Sequence, residues 1–247
     1  MNDKVFELNY AGHPVRYAFL TRKTRTLLHP IPRAVEGVTA DVAADRELIE
    51  RVRPLFPADT EDSFLEYRCL IGLTAQRLLH FGCCVFHAVA FLWRGRAWLL
   101  TAPPGVGKTT QLLNWQRCYP GEIAVISGDM PVLEGREDGS VWVHPSSWNG
   151  KENLRGRQSA PLGGVVLLEQ GSVDQICPLP QAEGILPLFN QFMVVPETEE
   201  EIHALAGLME KMLTAAPCWR MVNRGGNEST ALLRATLQNR FAEEAES

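Results

Sequence analysis

Residues 101–110, TAPPGVGKTT, place two glycines, a lysine and two threonines at the spacing of a loop that holds nucleotide phosphates. The pattern G-x-x-x-x-G-K-[ST] runs here through Ala102, Pro103, Pro104, Gly105, Val106, Gly107, Lys108 and Thr109, with alanine in the first position. The chemistry survives that alanine. Gly105 and Gly107 allow successive backbone N–H groups to turn toward one anionic centre, and a helix beginning at this point adds its N-terminus. Lys108 offers a point charge to the β- and γ-phosphates, and the Thr109 hydroxyl is a natural Mg²⁺ ligand. Pro104, Val106 and Thr110 complete the predicted cradle, and Pro103-Pro104 stiffens the approach to it.

A phosphate loop alone says only that a nucleoside triphosphate is held; an acidic partner decides what is done with it. IAVISGD ends an apolar run at Asp129, and GVVLLEQ ends another at Glu169. Asp129 fits a general base that takes a proton from a hydroxyl, or a turn aspartate after Gly128. In an ATPase, Glu169 or Asp129 would activate water, although Glu169 lacks the Asp-Glu pair usual there. His87 lies on an apolar run just upstream and reads either as a packed core residue or as a group near the loop. In SSWNGKENLRGR, Glu152 stands among Lys151, Arg155 and Arg157. That stretch is either a solvated loop or a metal-holding carboxylate with cations that screen a transferring phosphoryl group. Ser146, Ser147 and Trp148 are candidates to shape an acceptor pocket. Arg220, Arg224 and Gly225-Gly226 are candidates to reach a substrate or a second subunit.

These groups need a scaffold. VFELNYAG and VRYAFLT alternate as short strands, ADRELIERVRPLFP carries helical spacing up to Pro57, and SFLEYRCLIGLTAQRLLHFG is a helix with a glycine stop. CVFHAVAFLW and RAWLLTA form a hairpin across Arg94-Gly95-Arg96, which brings His87 toward the start of the loop. TQLLNWQRC is a helix, EIAVIS a strand, PVLEGREDGSVWVH a hairpin, and GVVLLEQ and VDQICPL two further strands. EEEIHALAGLMEKMLTA is an amphipathic helix opened by acidic residues. WRMVN is a late strand, and STALLRATLQNRFAEE a closing helix with Ser229 as its N-cap. The pattern is α/β with many antiparallel hairpins. It divides into a small α/β extension at 1–60 and a nucleotide-binding domain at 61–247.

Composition narrows the partners. The net charge is −5, the hydrophobic fraction is 45%, and no dense basic run is present, so nucleic acid is not expected. The N-terminus lacks signal-peptide design. The longest apolar run, Cys83 to Trp93, is too short to span a bilayer, so the chain reads as cytoplasmic with no membrane partner. Cys69, Cys83, Cys84, Cys118, Cys177 and Cys218 match no zinc spacing and read as small buried hydrophobes.

FHAVAFLWRGRAWLLTAPPGVGKTT, ISGDMPVL and WNGKENL together resemble the HPr kinase/phosphorylase family, whose phosphate-loop fold is shared with ATP-dependent phosphoenolpyruvate carboxykinases. The resemblance covers roughly residues 64 to 245. It implies a mixed, largely antiparallel sheet with flanking helices. It also implies catalytic roles for His87, Lys108 and Asp129 and Mg²⁺ ligation by Thr109 and Glu152, while Lys151 and Arg155 are candidate substrate contacts from their charge beside Glu152. By resemblance, the chain is an ATP- and Mg²⁺-dependent kinase that moves the γ-phosphate to a serine-like hydroxyl of a peptide, protein or small molecule, in a homo-oligomer. The alternatives are a phosphate-loop ATPase or switch assisting a partner protein, and a carboxykinase-like lyase. The chain departs from the family in Gly128, where an aspartate commonly precedes the catalytic one, in Ala102, and in the size of its N-terminal part.

Overall fold

The computed structural model describes residues 6–28, 40–148 and 150–246, with side chains through Phe241. Residues 1–5 and 29–39 of the expected N-terminal extension, Asn149 and Ser247 lie outside that description. The alternating N-terminal segments form β1 (Phe6–Tyr10) and β2 (His13–Ala18), an antiparallel hairpin turned at Ala11-Gly12. β3 (Ala40–Ala43) pairs parallel to β2 and completes a three-stranded sheet. α1 (Arg22–Leu27) follows β2, and α2 (Arg46–Val52) begins where the Asp45 carboxylate accepts from Leu48 N–H. The helix expected to reach Pro57 instead tightens into a 3-10 turn at Arg53–Leu55, where Pro54 supplies no N–H to continue the α ladder.

α3 (Asp62–Leu79) is the long helix that its spacing predicts. Its buried Glu66 accepts from the Leu20 and Thr21 N–H groups at 2.6 and 3.0 Å and from the Thr24 hydroxyl at 2.5 Å. The Tyr17 hydroxyl meets Thr74 Oγ1 at 2.8 Å. The small sheet is therefore fastened to α3 by polar contacts, and its inner face belongs to the same apolar cluster.

A nine-stranded mixed sheet follows: β4 (Cys83–Val85), β5 (Ala88–Trp93), β6 (Arg96–Thr101), β7 (Ala124–Ser127), β8 (Val132–Gly135), β9 (Val141–His144), β10 (Ala160–Gln170), β11 (Gln175–Pro178) and β12 (Cys218–Asn223). Seven of them run in the order β4-β8-β9-β10-β6-β5-β7. β10 is the junction. Its first residues pair with β9, while the rest lie parallel to both β6 and β12, and β11 closes antiparallel on β12. All other neighbouring pairs in this sheet are antiparallel.

The unbroken apolar runs in β5, β6 and β10 have a simple cause, because both faces are covered. Ala88, Ala90, Leu99 and Val165 enter one cluster with α3, while Val89, Phe91, Leu100 and Val166 enter a second. α4 (Lys108–Cys118) and α7 (Asn227–Glu246) cover that second face. α5 (Gln181–Phe189) and α6 (Glu199–Ala215) complete the helices, and Thr198 and Glu201 form a reciprocal capping box at the start of α6. The α/β architecture with a mixed, largely antiparallel sheet and flanking helices is thus the one expected.

Three local expectations change, and one helix is new. CVFHAVAFLW is two strands, broken at Phe86-His87, because β4 leaves to pair with β8 while β5 pairs with β6. α5 had no clear signal, since Gly184 and Pro187 interrupt it. Ser229 is not the cap of α7, which starts two residues earlier; its hydroxyl donates to Asp174 instead. Of the six cysteines, all of them free thiols, only Cys69, Cys83 and Cys84 are buried, and burial pushes the Cys83 thiol up to about 12.

Candidate active site

The loop between β6 and α4 has the geometry its glycines predict. Gly105 and Gly107 hold φ of +82° and +110°, and Gly107 is the residue from which α4 springs. A side chain at either position would strain the turn. Ala102 is fully buried in the cluster formed with Leu112 and Trp115, so its methyl group belongs to the core. Lys108 is buried at the start of α4, and its Nζ donates to the carbonyls of Ala102 at 2.9 Å and Pro103 at 3.4 Å. Burial lowers the Lys108 pKa, and the charge of Asp129 partly offsets this. Thr109 is half-buried in the first helical turn, while Thr110 and Pro104 are exposed. Gln170, at the end of β10, donates to Gly105 O at 3.1 Å and steadies the loop from its far side.

Behind the loop lies a buried polar cluster. Gln111 Nε2 donates to Asn223 Oδ1, Thr230 Oγ1 donates to Gln111 Oε1, and Asn223 Nδ2 donates to Glu169 O. Asn114 Nδ2 donates to Gly225 O at 2.9 Å. These bonds tie α4 to β12 and α7, so Gly225 serves the scaffold.

His87 sits in the break between β4 and β5. Its N–H donates to Gln191 O at 2.7 Å, and its carbonyl accepts from the Thr101 hydroxyl at 2.9 Å, directly before the phosphate loop. The next residue, Ala88, donates its N–H to Asp129 O at 2.8 Å. The strand break thus brings His87, Asp129 and the loop together. Gln191 also fixes the ring. Its Nε2 donates to Pro187 O at 3.3 Å, which leaves Oε1 to face His87 Nδ1 at 3.1 Å. An amide oxygen only accepts, so this network assigns the proton to Nδ1 and leaves the Nε2 lone pair bare. That Nε2 stands 3.6 Å from Asp129 Oδ1, beyond hydrogen-bond length.

Burial, followed by the charge of Lys108, lowers the His87 pKa to about 4, so the imidazole is neutral near pH 7. Burial likewise raises the Asp129 carboxyl above its ordinary value. Lys108 and Arg68 act against that rise, and the Glu152 charge adds to it. The 3.6 Å contact is therefore one between a carboxylate and a neutral ring rather than an ion pair.

Asp129 and Glu152 converge on Gly150, where a methyl group would meet Glu152 Oε2 at 3.4 Å and Asp129 Cβ at 3.5 Å. Residues 154–156 run antiparallel along the edge of β7, with Gly128 N–H donating to Leu154 O and Gly156 N–H to Ile126 O. Both glycines are required by this approach. A Cβ on Gly128 would lie 2.8 Å from Leu154 Cβ, and one on Gly156 would lie 1.8 Å from Val125 O. The residue before Asp129 is glycine because a backbone passes over it.

Among the described residues, no group of three His, Cys, Asp or Glu side chains could hold a metal ion unaided. The oxygen donors Thr109, Asp129 and Glu152 nonetheless suit Mg²⁺, which takes one or two carboxylates and completes its shell with phosphates and water. The mutual repulsion of Asp129 and Glu152 is what such a cation relieves.

Lys151 is exposed, and Arg155 turns its guanidinium to Asn153 Oδ1, 2.6 Å from Nε. Ser146, Ser147 and Trp148 are core residues, with the Trp148 ring 6.4 Å from Tyr10 and 5.2 Å from Tyr67. Arg224 is held by Asp174, and Arg220 by Glu169 at 3.2 Å and Glu183 at 3.6 Å. Glu169 is exposed and occupied by that arginine. Two residues that sequence reasoning missed are Gln191 and Arg68. Neither lies in a motif, and only the folding of α3 and of the segment after α5 against His87 brings them in.

No protein-family model matches the chain, and no curated protein does. Among solved structures, the chain is similar to the HPr(Ser) kinase/phosphatase from Coxiella burnetii, at 12% identity and a TM-score of 0.35, over 66% of this chain and 99% of that one. No helix among the described residues is long and apolar enough to cross a membrane.

Proposed function

We propose that the chain is an ATP-dependent kinase that transfers the γ-phosphoryl group to a serine-like hydroxyl. The observation that carries this reading is the pair formed by His87 Nε2 and Asp129 Oδ1, 3.6 Å apart beside the phosphate loop. Both atoms accept and neither donates, so the pair suits a group that brings its own proton, as a hydroxyl does. Asp129 takes that proton as the hydroxyl oxygen bonds to the γ-phosphorus and the bond from phosphorus to the β–γ bridging oxygen breaks. Its raised pKa makes it a better base than an exposed carboxylate. His87, neutral and locked by Gln191, stands beside the incoming hydroxyl, whose single proton goes to Asp129, and positions that group by contact rather than relaying charge. Lys108 leaves its loop carbonyls for the phosphates, and the loop N–H groups hold the β-phosphate. Mg²⁺, held through Thr109, Glu152 and Asp129, would neutralise phosphate charge.

In the ATPase alternative Glu169 or Asp129 would activate water, and of the two Glu169 is paired with Arg220. The test is transfer of ³²P from γ-labelled ATP to serine, serine peptides and serine-bearing proteins, with Asp129→Asn and Glu169→Gln beside the wild type. Labelled phosphoserine that disappears in Asp129→Asn supports the kinase. Release of inorganic phosphate alone, lost in Glu169→Gln and kept in Asp129→Asn, overturns it.

A further inference from the structure

A cavity of about 670 Å³ opens directly beside this pair, with His87, Pro104 and Met130 at its inner end. One bank is built by α2 and the 3-10 turn, the floor by α3, and the other bank by the segment that follows α5. Its walls are mostly apolar. Two large side chains are left in water on opposite banks, Leu55 at 79% exposure and Val195 at 81%. Exposed apolar groups paired across one groove mark a surface that another molecule covers.

The groove also carries charge. Arg51 and Arg68 line it, and among the described residues neither is paired with a carboxylate. Arg68 is near enough to influence both His87 and Asp129. Glu197, exposed on the opposite bank, is the acidic group facing them.

Resting on the kinase reading above, we propose that this groove binds the acceptor as an extended peptide segment, with large apolar side chains beside its hydroxyl residue and an acidic residue directed to Arg68. The volume is that of a site for a drug-sized ligand or several peptide side chains. A free amino acid or small polyol would leave most of the apolar wall wet. His87 lines the groove, and Asp129 lies 3.6 Å beyond its ring, so that end would receive the hydroxyl. The guanidiniums would supply charge-assisted contacts to a carboxylate.

Binding and transfer can be read separately. Short fluorescein-labelled peptides with one serine flanked by leucine, phenylalanine and glutamate are titrated by fluorescence anisotropy, beside versions with glycine for the apolar residues or glutamine for glutamate. The apolar-acidic peptide is expected to bind about tenfold tighter than the glycine version. Leu55→Asp and Val195→Asp, both at exposed positions, should weaken it about fivefold with unchanged circular dichroism. Arg68→Gln should erase the preference for glutamate over glutamine. Equal binding of all peptides, no effect of the three variants, or competitive displacement of the peptide by ATP would overturn the proposal. Binding in the groove without ³²P transfer keeps the groove assignment and removes the kinase reading. Phosphorylation of free serine with no peptide binding does the reverse.

Discussion

Gln191 Oε1 faces His87 Nδ1 at 3.1 Å, and this one contact decides which nitrogen of the imidazole looks toward Asp129. Replacing Gln191 with Ala removes the acceptor that holds the proton on Nδ1. The expected result is a mixture of His87 tautomers in ¹⁵N NMR of the ring. Phosphotransfer kcat should fall by about tenfold, with little change in the KM for ATP. A single Nδ1–H tautomer in the variant would show that the ring is set by something else.

Asp129→Asn should do two opposite things. Transfer should fall by about 10²- to 10⁴-fold while ATP still binds, because only the proton acceptor is lost. The protein without ligands should become more stable near pH 7. The folded-state pKa of Asp129 is raised, so keeping it ionised costs stability at every pH above that value. Asparagine removes the cost. A Tm above wild type, measured together with the loss of transfer, is the signature; a lower Tm would contradict the desolvation argument.

His87 gives the acid side of the stability profile. Its folded pKa of about 4 lies below the 6.5 of an unfolded histidine. Above pH 6.5 neither state binds the proton. As pH falls from 6.5 toward 4, the unfolded chain gains it first and stability drops, by roughly 2–3 kcal/mol in total. Asp129 acts in the other sense, adding stability as pH falls through its raised pKa, so Asp129→Asn exposes the histidine slope more cleanly. Denaturant titrations across pH 4 to 7 check this; His87→Gln in the same background should flatten the curve.

Gly128→Ala and Gly156→Ala test the strand of chain that carries Glu152 to the site. The Gly156 substitution must displace a backbone carbonyl, and the Gly128 substitution must displace Leu154. Each should cost about 1–3 kcal/mol by overpacking. Both should weaken Mg²⁺-dependent activity more than nucleotide binding measured without metal.

Lys108→Met should reduce ATP affinity by at least about tenfold. Equilibrium dialysis or a thermal-shift titration with ATP checks it. Because Lys108 lowers the Asp129 pKa, the variant should also move that carboxyl further up.

The sequence made the phosphate loop readable because its two glycines do one physical thing, adopting positive φ, that few other residues do cheaply. Asp129 was readable at a strand end and Glu152 as a carboxylate among cations in a loop. Their convergence on Gly150 was not, since it depends on residues 154–156 lying along β7. His87 was placed near the loop by the hairpin register of β5 and β6, yet the strand break that frees its ring comes from β4 pairing elsewhere. Trp148 and its serines misled because an aromatic residue in a polar stretch looks like a pocket wall. Here the ring is sunk among Tyr10, Tyr17 and Tyr67, contributed by distant parts of the chain. Arg68 and Gln191 had no local signature, because a lone arginine on a helix and a lone glutamine in a loop acquire meaning only through the neighbours that folding supplies.

The bonds from Gln111 to Asn223 and Thr230 join the helix that begins at the phosphate loop to the last helix of the chain. On the kinase reading, a nucleotide held at the loop is therefore expected to slow motion in α7 through these bonds. The amide protons of α7 become a remote gauge of occupancy, and their exchange rates read whether the site is filled.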